Sequence, residues 1–334
     1  MLVDVNFKKL NSFENVFSDI NSLKNIQLIN VIAPEIISME KMFINCLNLE
    51  NIAFINCELS NVKSLQGMFN NCESLYDIRF ENIDFNELSS LNETFNNSSV
   101  GNIEFTNLNF NKLISFEKAF SNIKSLKSIQ FKNVNAYELL SMEEMFSNCI
   151  NLINASFINF EAPNIRTLRK MFDNCNNLVN IKLDGILENI NVSKVEILEG
   201  MFNYSINISN FTLENITFLE LTNMENIFNE TYFQNLTFKN LSFPKLELVS
   251  PLMIQSYYKQ NIYINIDFEN IQMPNVITLK IYFNYIVMEI FFLIIFIFQE
   301  LNHFLKCLTI NMPDLQLKLI ILLLRISMPL MLII

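Results

Sequence analysis

The chain has no tryptophan, a single histidine and only four glycines in 334 residues. So few glycines exclude most phosphate-cradling loops. One histidine, His303, excludes most His-based metal or catalytic clusters. No GxGxxG, GxSxG, P-loop or HExxH motif occurs. Basic residues are scarce too: 23 Lys and Arg against 34 Asp and Glu leave a net charge of −11. Nucleic acid is therefore not expected as a partner, because neutralising phosphates takes clustered Lys and Arg. A peripheral contact with an anionic membrane surface is equally ill matched. The N-terminus, MLVDVNFKKLNSFENVF, has no basic n-region, apolar h-region or small-residue cleavage site, so no signal peptide is read there.

Phenylalanine and asparagine are abundant, with 32 and 52 copies, and apolar residues make up 51% of the chain. That is enough for a sizeable core. The two residue types share a period. A dipeptide ending in Phe recurs at Phe17, Phe43, Phe69, Phe95, Phe120, Phe146, Phe172, Phe202 and Phe228, with spacings of 26, 26, 26, 25, 26, 26, 30 and 26. A further copy has Ile254, and another reaches Phe283. A fixed period of this length is the mark of a repeat architecture.

Three parts of the repeat have a physical reading. Ser-Met-Glu-Lys-Met-Phe, as in Ser38 to Phe43, puts Ser at an N-cap with Glu soon after, so a short helix is expected. Leu-x-x-Ile-x-Phe, as in Leu49, Ile52 and Phe54, ends in apolar/polar alternation and predicts a short strand. Two residues on comes an Asn column: Asn30, Asn56, Asn82, Asn107, Asn133, Asn159, Asn215, Asn240 and Asn270. One unit cannot bury its own apolar face, but stacked units can, with their strands in a continuous parallel sheet. Phe43, Phe69, Phe95, Phe120, Phe146 and Phe172 become an internal ladder. The Asn column becomes a second one, with amides satisfying backbone groups of the turns. Asn215 and Asn240 are expected to be buried in it.

The pattern Ser-Met-x-x-Met-Phe-x-Asn-Cys-x-x-Leu-x-x-Ile-x-Phe-x-Asn resembles the BspA-like leucine-rich repeat, in its 26-residue surface-protein variant. Ser38–Asn56, Ser64–Asn82, Ser141–Asn159 and Thr167–Leu183 carry the resemblance best, and it spans roughly residues 12–283. It implies a leucine-rich-repeat-like solenoid on a bacterial or protist surface, with adhesion or recognition as its role. It brings no catalytic residues. The copies from Ile197 onward lose the Cys and vary in length.

The fold class is therefore an α/β repeat: a leucine-rich-repeat-like solenoid of about ten coils with a parallel sheet and short helices. It fills residues 1–283, with an apolar helical tail over 284–334. Cys46, Cys72, Cys149 and Cys175 share a column with Ile20, Ser98, Ile123, Ser205 and Thr231. A column that accepts Ile, Ser or Thr wants a small buried side chain rather than a cross-link, so free thiols are expected. No Cys-x-x-Cys and no nearby His suggests zinc.

Binding is expected on the outward positions of the sheet. One column there reads Gln27, Ala53, Arg79, Glu104, Gln130, Ser156 and Lys182, and the next Ile29, Ile55, Glu81, Thr106, Lys132, Ile158 and Asp184. Arg79, Glu81, Glu104, Gln130, Lys132, Lys182 and Asp184 are the candidate binding residues, with a protein or glycan as partner. The plainer reading of each is a solvated face, and Ile29, Ile55 and Ile158 are isolated exposed apolar residues. Neither an enzymatic activity nor a cofactor or metal is expected. Of twelve N-x-S/T sequons, eight fall between Asn191 and Ser242. They suggest either glycosylation or a by-product of Asn-rich repeats.

The run Ile281–Phe298, IYFNYIVMEIFFLIIFIF, is long enough for a transmembrane helix despite Glu289. It would anchor the protein in a membrane, most naturally at the cell surface. A shifted reading frame in AT-rich DNA, or a helical cap on the solenoid, would give a similar composition. The alternative to a surface recognition module is an intracellular scaffold for a protein partner.

Overall fold

The computed structural model describes residues 1–284, except 92, 96–97, 179, 183–191, 209, 232–234, 256–264 and 276–277, together with 308–310. The strands are β1 (Leu2–Val3), β2 (Asn25–Ile29), β3 (Asn51–Ile55), β4 (Asp77–Asp84), β5 (Asn102–Asn109), β6 (Ser128–Asn135), β7 (Asn154–Glu161), β8 (Asn180–Lys182), β9 (Asn210–Glu214), β10 (Asn235–Ser242), β11 (Leu248–Gln255), β12 (Asn265–Gln272), β13 (Thr278–Asn284) and β14 (Leu308–Ile310). Strands β1 to β7 form one sheet in sequence order, β8, β9, β10 and β12 a second, and β11, β13 and β14 a third. The pairing is parallel throughout. The chain thus winds into a β-solenoid of about nine coils of some 26 residues.

Register follows the repeat. Ile52 lies opposite Ile78, and Phe54 opposite Phe80. Phe80 lies opposite Phe105, and Phe105 opposite Phe131. Alternation along a strand sends these residues inward and their neighbours outward. Inside, the rings stack from coil to coil. Phe43 and Phe69 are 5.8 Å apart and 7° from parallel, Phe69 and Phe95 5.5 Å, and Phe146 and Phe172 5.4 Å. The strand Phe residues form a parallel stack, with Phe105 and Phe131 at 5.0 Å and Phe131 and Phe157 at 5.1 Å. These separations exceed the rung spacing of about 4.8 Å, so the rings are offset as their quadrupoles prefer.

The expected short helices are not there. Among the described residues the one helical element is a 3-10 turn at Val192–Lys194. Residues 39–46 form a ribbon of turns instead. Ser38 Oγ does accept the Glu40 N–H, at 3.2 Å, but Lys41 then takes φ +52° and Asn45 φ +58°. Alternate amides turn inward and outward. Met42, Ile44 and Cys46 donate three residues back, to Met39, Lys41 and Phe43. Met39, Lys41, Phe43 and Asn45 donate to Ser64, Gln66, Met68 and Asn70 of the next coil. A helix would spend every amide within its own turn. The ribbon spends half of them on stacking the coils.

The cysteine column lies against this ribbon. Cys46, Cys72, Cys149 and Cys175 are fully buried, and with Cys57 they are free thiols. Each donates its S–H to the ladder Phe carbonyl of the coil before: Cys46 to Phe17 at 2.9 Å, Cys72 to Phe43 at 3.1 Å, Cys149 to Phe120 at 3.0 Å and Cys175 to Phe146 at 3.1 Å. Ser205 and Thr231 donate from the same column to Phe172 and Phe202. The column is thus a row of buried hydrogen-bond donors as well as small side chains.

Two further expectations are corrected at the C-terminal end. Ile281–Asn284, the start of the proposed membrane helix, are the end of strand β13, and residues 285–298 lie outside the described residues. Leu308–Ile310 pair with β13 as a strand, not as part of a helical tail. Among the described residues no helix is long and apolar enough to cross a membrane. His303 also lies outside them.

Candidate binding surfaces

Outward positions of the sheet line up coil by coil. Arg79, Glu104, Gln130 and Ser156 form one row, and Glu81, Thr106, Lys132 and Ile158 the next. The structure therefore brings five of the candidate residues together: Arg79, Glu81, Glu104, Gln130 and Lys132. Lys182 sits on β8, two coils beyond β6, and Asp184 lies outside the described residues. Arg79 is paired with Glu81 and reaches Glu104 at 3.7 Å. Glu104 also accepts the Thr106 hydroxyl at 3.0 Å. Exposed pairs of this kind contribute at most about 1 kcal/mol. The face is mixed in charge and largely self-paired. Ile158 is exposed on it, whereas Ile29 and Ile55 are half-buried, not exposed as expected.

Beside this sheet the Tyr76 ring lies over Gly101. A Cβ at Gly101 would come within 2.9 Å of two ring carbons, so only glycine seats the ring there. Lys127 Nζ sits 5.8 Å from its centroid. On the turn-ribbon side, Arg169 reaches Glu143 at 2.5 Å, Glu199 at 3.5 Å and Glu144 at 3.7 Å. Glu143 and Glu144 are thus ion-paired across coils.

The Asn column is exposed, and this corrects the expectation for Asn215 and Asn240. Its amides bond to one another rather than to turn backbone. Asn56 donates to Asn30 at 3.0 Å, Asn82 to Asn56 at 2.6 Å, Asn107 to Asn82 at 2.6 Å, Asn133 to Asn107 at 2.8 Å and Asn159 to Asn133 at 2.8 Å. Asn30 donates to Asp4 at 2.8 Å. Each column Asn also takes a positive φ, between 51° and 57°. Asn tolerates that region better than other residues with a Cβ, so it turns the corner and links the coils at once.

Further amide columns went unread in the sequence. One follows the ladder Phe: Asn45 donates to Asp19, Asn71 to Asn45, Asn148 to Asn122 and Asn174 to Asn148. Another starts the strands, where Asn51 donates to Asn25 and Asn102 to Asp77, and two appear where β4 to β7 run past the corner. Asn109 donates to Asp84, and Asn135 to Asn109 at 2.6 Å. Asn111 donates to Asn86 at 2.7 Å. The signal was there in Asn107-Leu-Asn-Phe-Asn111, an amide at every second residue.

Five asparagines of the sequon cluster make bonds between coils. Asn203, Asn229, Asn235 and Asn240 donate to Asp173, Asn203, Asn210 and Asn215, and Asn207 to the Asn176 carbonyl.

Burial governs the titrating groups of the core. It pushes the Cys72 and Cys149 thiols up to about 12, and Cys46, Cys57 and Cys175 upward as well. Among the described residues no group of three or more His, Cys, Asp or Glu side chains is placed to hold a metal ion.

Rows of outward polar side chains on a stack of near-identical coils define a solenoid repeat protein. The chain belongs to the family described as Mycoplasma protein of unknown function, DUF285, whose profile matches it twice, over residues 11–134 and 140–262. Neither the curated proteins nor the solved structures contain a match to it.

Proposed function

We propose that this protein is a non-enzymatic recognition or adhesion module of the surface-protein kind that the BspA-like resemblance implies. It takes a protein or glycan partner on the outward faces of its coils. The observation that carries the reading is the unbroken register of outward side chains from β2 to β7. It makes one extended polar surface with little of the flexibility that weakens binding. Surface shaving tests it. Protease added to intact cells should remove the solenoid, and the full-length protein should attach to partner-coated surfaces. Protection of the protein until the cells are lysed would overturn the surface assignment.

A second reading has one observation in its favour. Cys46 and Cys72, like Cys149 and Cys175, stand on neighbouring coils as free thiols, and thiols stay reduced in the cytoplasm. On this reading the solenoid is an intracellular scaffold, and protease protection is its expected result.

A further inference from the structure

The sheet is not the most regular surface of the molecule. On coils β4 to β7 the chain turns the corner and keeps three outward columns two residues apart. Asn107, Asn109 and Asn111 stand on one coil, and Asn133, Asn135 and Tyr137 on the next. All six are exposed or half-buried. An amide has two N–H donors and an oxygen with two lone pairs. Asn107 and Asn109 each give one N–H to the coil before and accept one from the coil after. Each keeps a second N–H and a second lone pair, Asn107 on an exposed side chain and Asn109 on a half-buried one. The ladders already hold these amides in place, so little rotamer entropy remains to be lost on binding.

Charge narrows the ligand. No Lys or Arg stands in the three columns, while Asp84 and Glu161 do. A phosphate- or sulfate-bearing polymer would meet carboxylates without a counter-charge. Tyr137 is 45% exposed, and its hydroxyl is fixed by donating to the Glu161 carboxylate. Protein interfaces depend on clustered aromatic and arginine anchors, and this face has one aromatic. Its distinguishing property is repetition: the same donor and acceptor recur at each rung, about 4.8 Å apart.

We propose that this amide face binds an uncharged, extended polysaccharide running along the solenoid axis. Its hydroxyl or acetamido groups meet the spare donors and acceptors of Asn107, Asn109, Asn133 and Asn135, and one sugar ring packs on Tyr137. The inference rests on the recognition reading above, gives it a glycan rather than a protein partner, and moves the site off the sheet face.

The test is a calorimetric titration of the full-length protein with cello- and chito-oligosaccharides, from disaccharide to hexasaccharide. Each added sugar engages a chain that is already held, so affinity should rise about tenfold or more over the series. Tyr137→Ala should abolish that gain, Tyr137→Phe should keep it, and Lys24→Glu, at an exposed position just before β2 and outside both faces, should leave it intact. A thermal melt of each variant checks that the fold persists. No binding of any oligosaccharide, no dependence on length, or sensitivity to Lys24→Glu but not Tyr137→Ala would each overturn the inference. Attachment to protein-coated surfaces, measured in parallel, separates the two claims. Attachment without oligosaccharide binding removes the glycan site and leaves the recognition module standing. Absence of both removes both.

Discussion

The coils of the first sheet and those after Val192 solve one packing problem with different residues. In the first group the ladder Phe residues are 25 or 26 apart, Cys is the donor to the preceding coil's Phe carbonyl at four positions, and the amide ladder beside it runs two residues after the Phe. Between Phe172 and Phe202 the spacing is 30, yet the rings still stack at 5.5 Å, 7° from parallel. Ser205 and Thr231 then take over the cysteine's bond, and the amide ladder moves one residue closer to the Phe, through Asp173, Asn203 and Asn229. Extra residues are absorbed elsewhere in the coil, while the turn ribbon continues across the junction, with Phe172 donating to Met201 and Asn174 to Asn203. The ring stack and the ribbon's amides are therefore the conserved mechanical element along the array, and the identity of each donor is negotiable.

Four measurements would break or sharpen that comparison. The largest effect belongs to the ring stack. Phe69→Asp or Phe146→Asp buries a charge in place of a fully enclosed ring, and truncating such a ring already costs about 3–5 kcal/mol. Unfolding of the neighbouring coils is expected in a chemical melt, and an unchanged midpoint would show that the stack does not bear the load assigned to it.

Alkali comes next. The unfolded thiols ionise near 9, the folded Cys72 and Cys149 near 12. A raised folded pKa favours the neutral native thiol, so this stabilisation is complete below pH 9 and is lost as pH rises toward 12. The first-sheet coils should therefore soften in alkali before those carrying Ser205 and Thr231, which hydrogen exchange can resolve. Uniform softening of both groups would remove the thiols as the cause.

The donor column itself is tested by Cys175→Ser against Cys175→Ala. Serine can make the bond that Ser205 makes one coil later, so its melt should stay close to the parent's. Alanine leaves the Phe146 carbonyl without that donor and should cost about 1 kcal/mol or more. Equal losses for the two variants would mean that only volume matters in the column.

The smallest effects lie at single irregular positions. Thr94 is fully buried in the column that elsewhere holds Met42, Met68 and Met145, and its hydroxyl has no partner. Thr94→Val should raise stability by about 1 kcal/mol. Lys118, at φ +52°, is exposed, and Lys118→Gly should gain a similar or smaller amount by removing a Cβ from the left-handed region.

The period, the strand columns and the inward Phe residues were legible because burial forces one answer at each position. The turn ribbon was not. Met39, Met42 and Phe43 are spaced like one face of a helix, and Ser38 makes the cap-like bond of a helix start. The counter-signal was in the glycines: Gly67 and Gly200 fall in the column of Lys41, Lys118 and Lys170, and all five have positive φ. A glycine interchangeable with lysine in a helix-like segment marks a backbone that is not helical. On the surface, alternation showed which side chains point outward but not which of them bond each other. The self-pairing of Arg79 with Glu81 depends on rotamers that no period encodes. The amide face depends on strands that continue past Asn82, Asn107 and Asn133, where the bend hides the alternation.

The ladders have a direction, and it bears on how such a chain can grow. The ladder asparagines donate toward the N-terminus, and where an Asp stands in a ladder it only accepts: Asp4 from Asn30, Asp19 from Asn45, Asp77 from Asn102, Asp84 from Asn109 and Asp173 from Asn203. A coil bearing Asn can be copied and inserted beside itself, because asparagine is complementary to its own duplicate. A coil bearing Asp cannot, since its copy would set carboxylate against carboxylate one rung apart. An aspartate therefore breaks the chain of donors wherever it stands, as Asp77 does between Asn51 and Asn102.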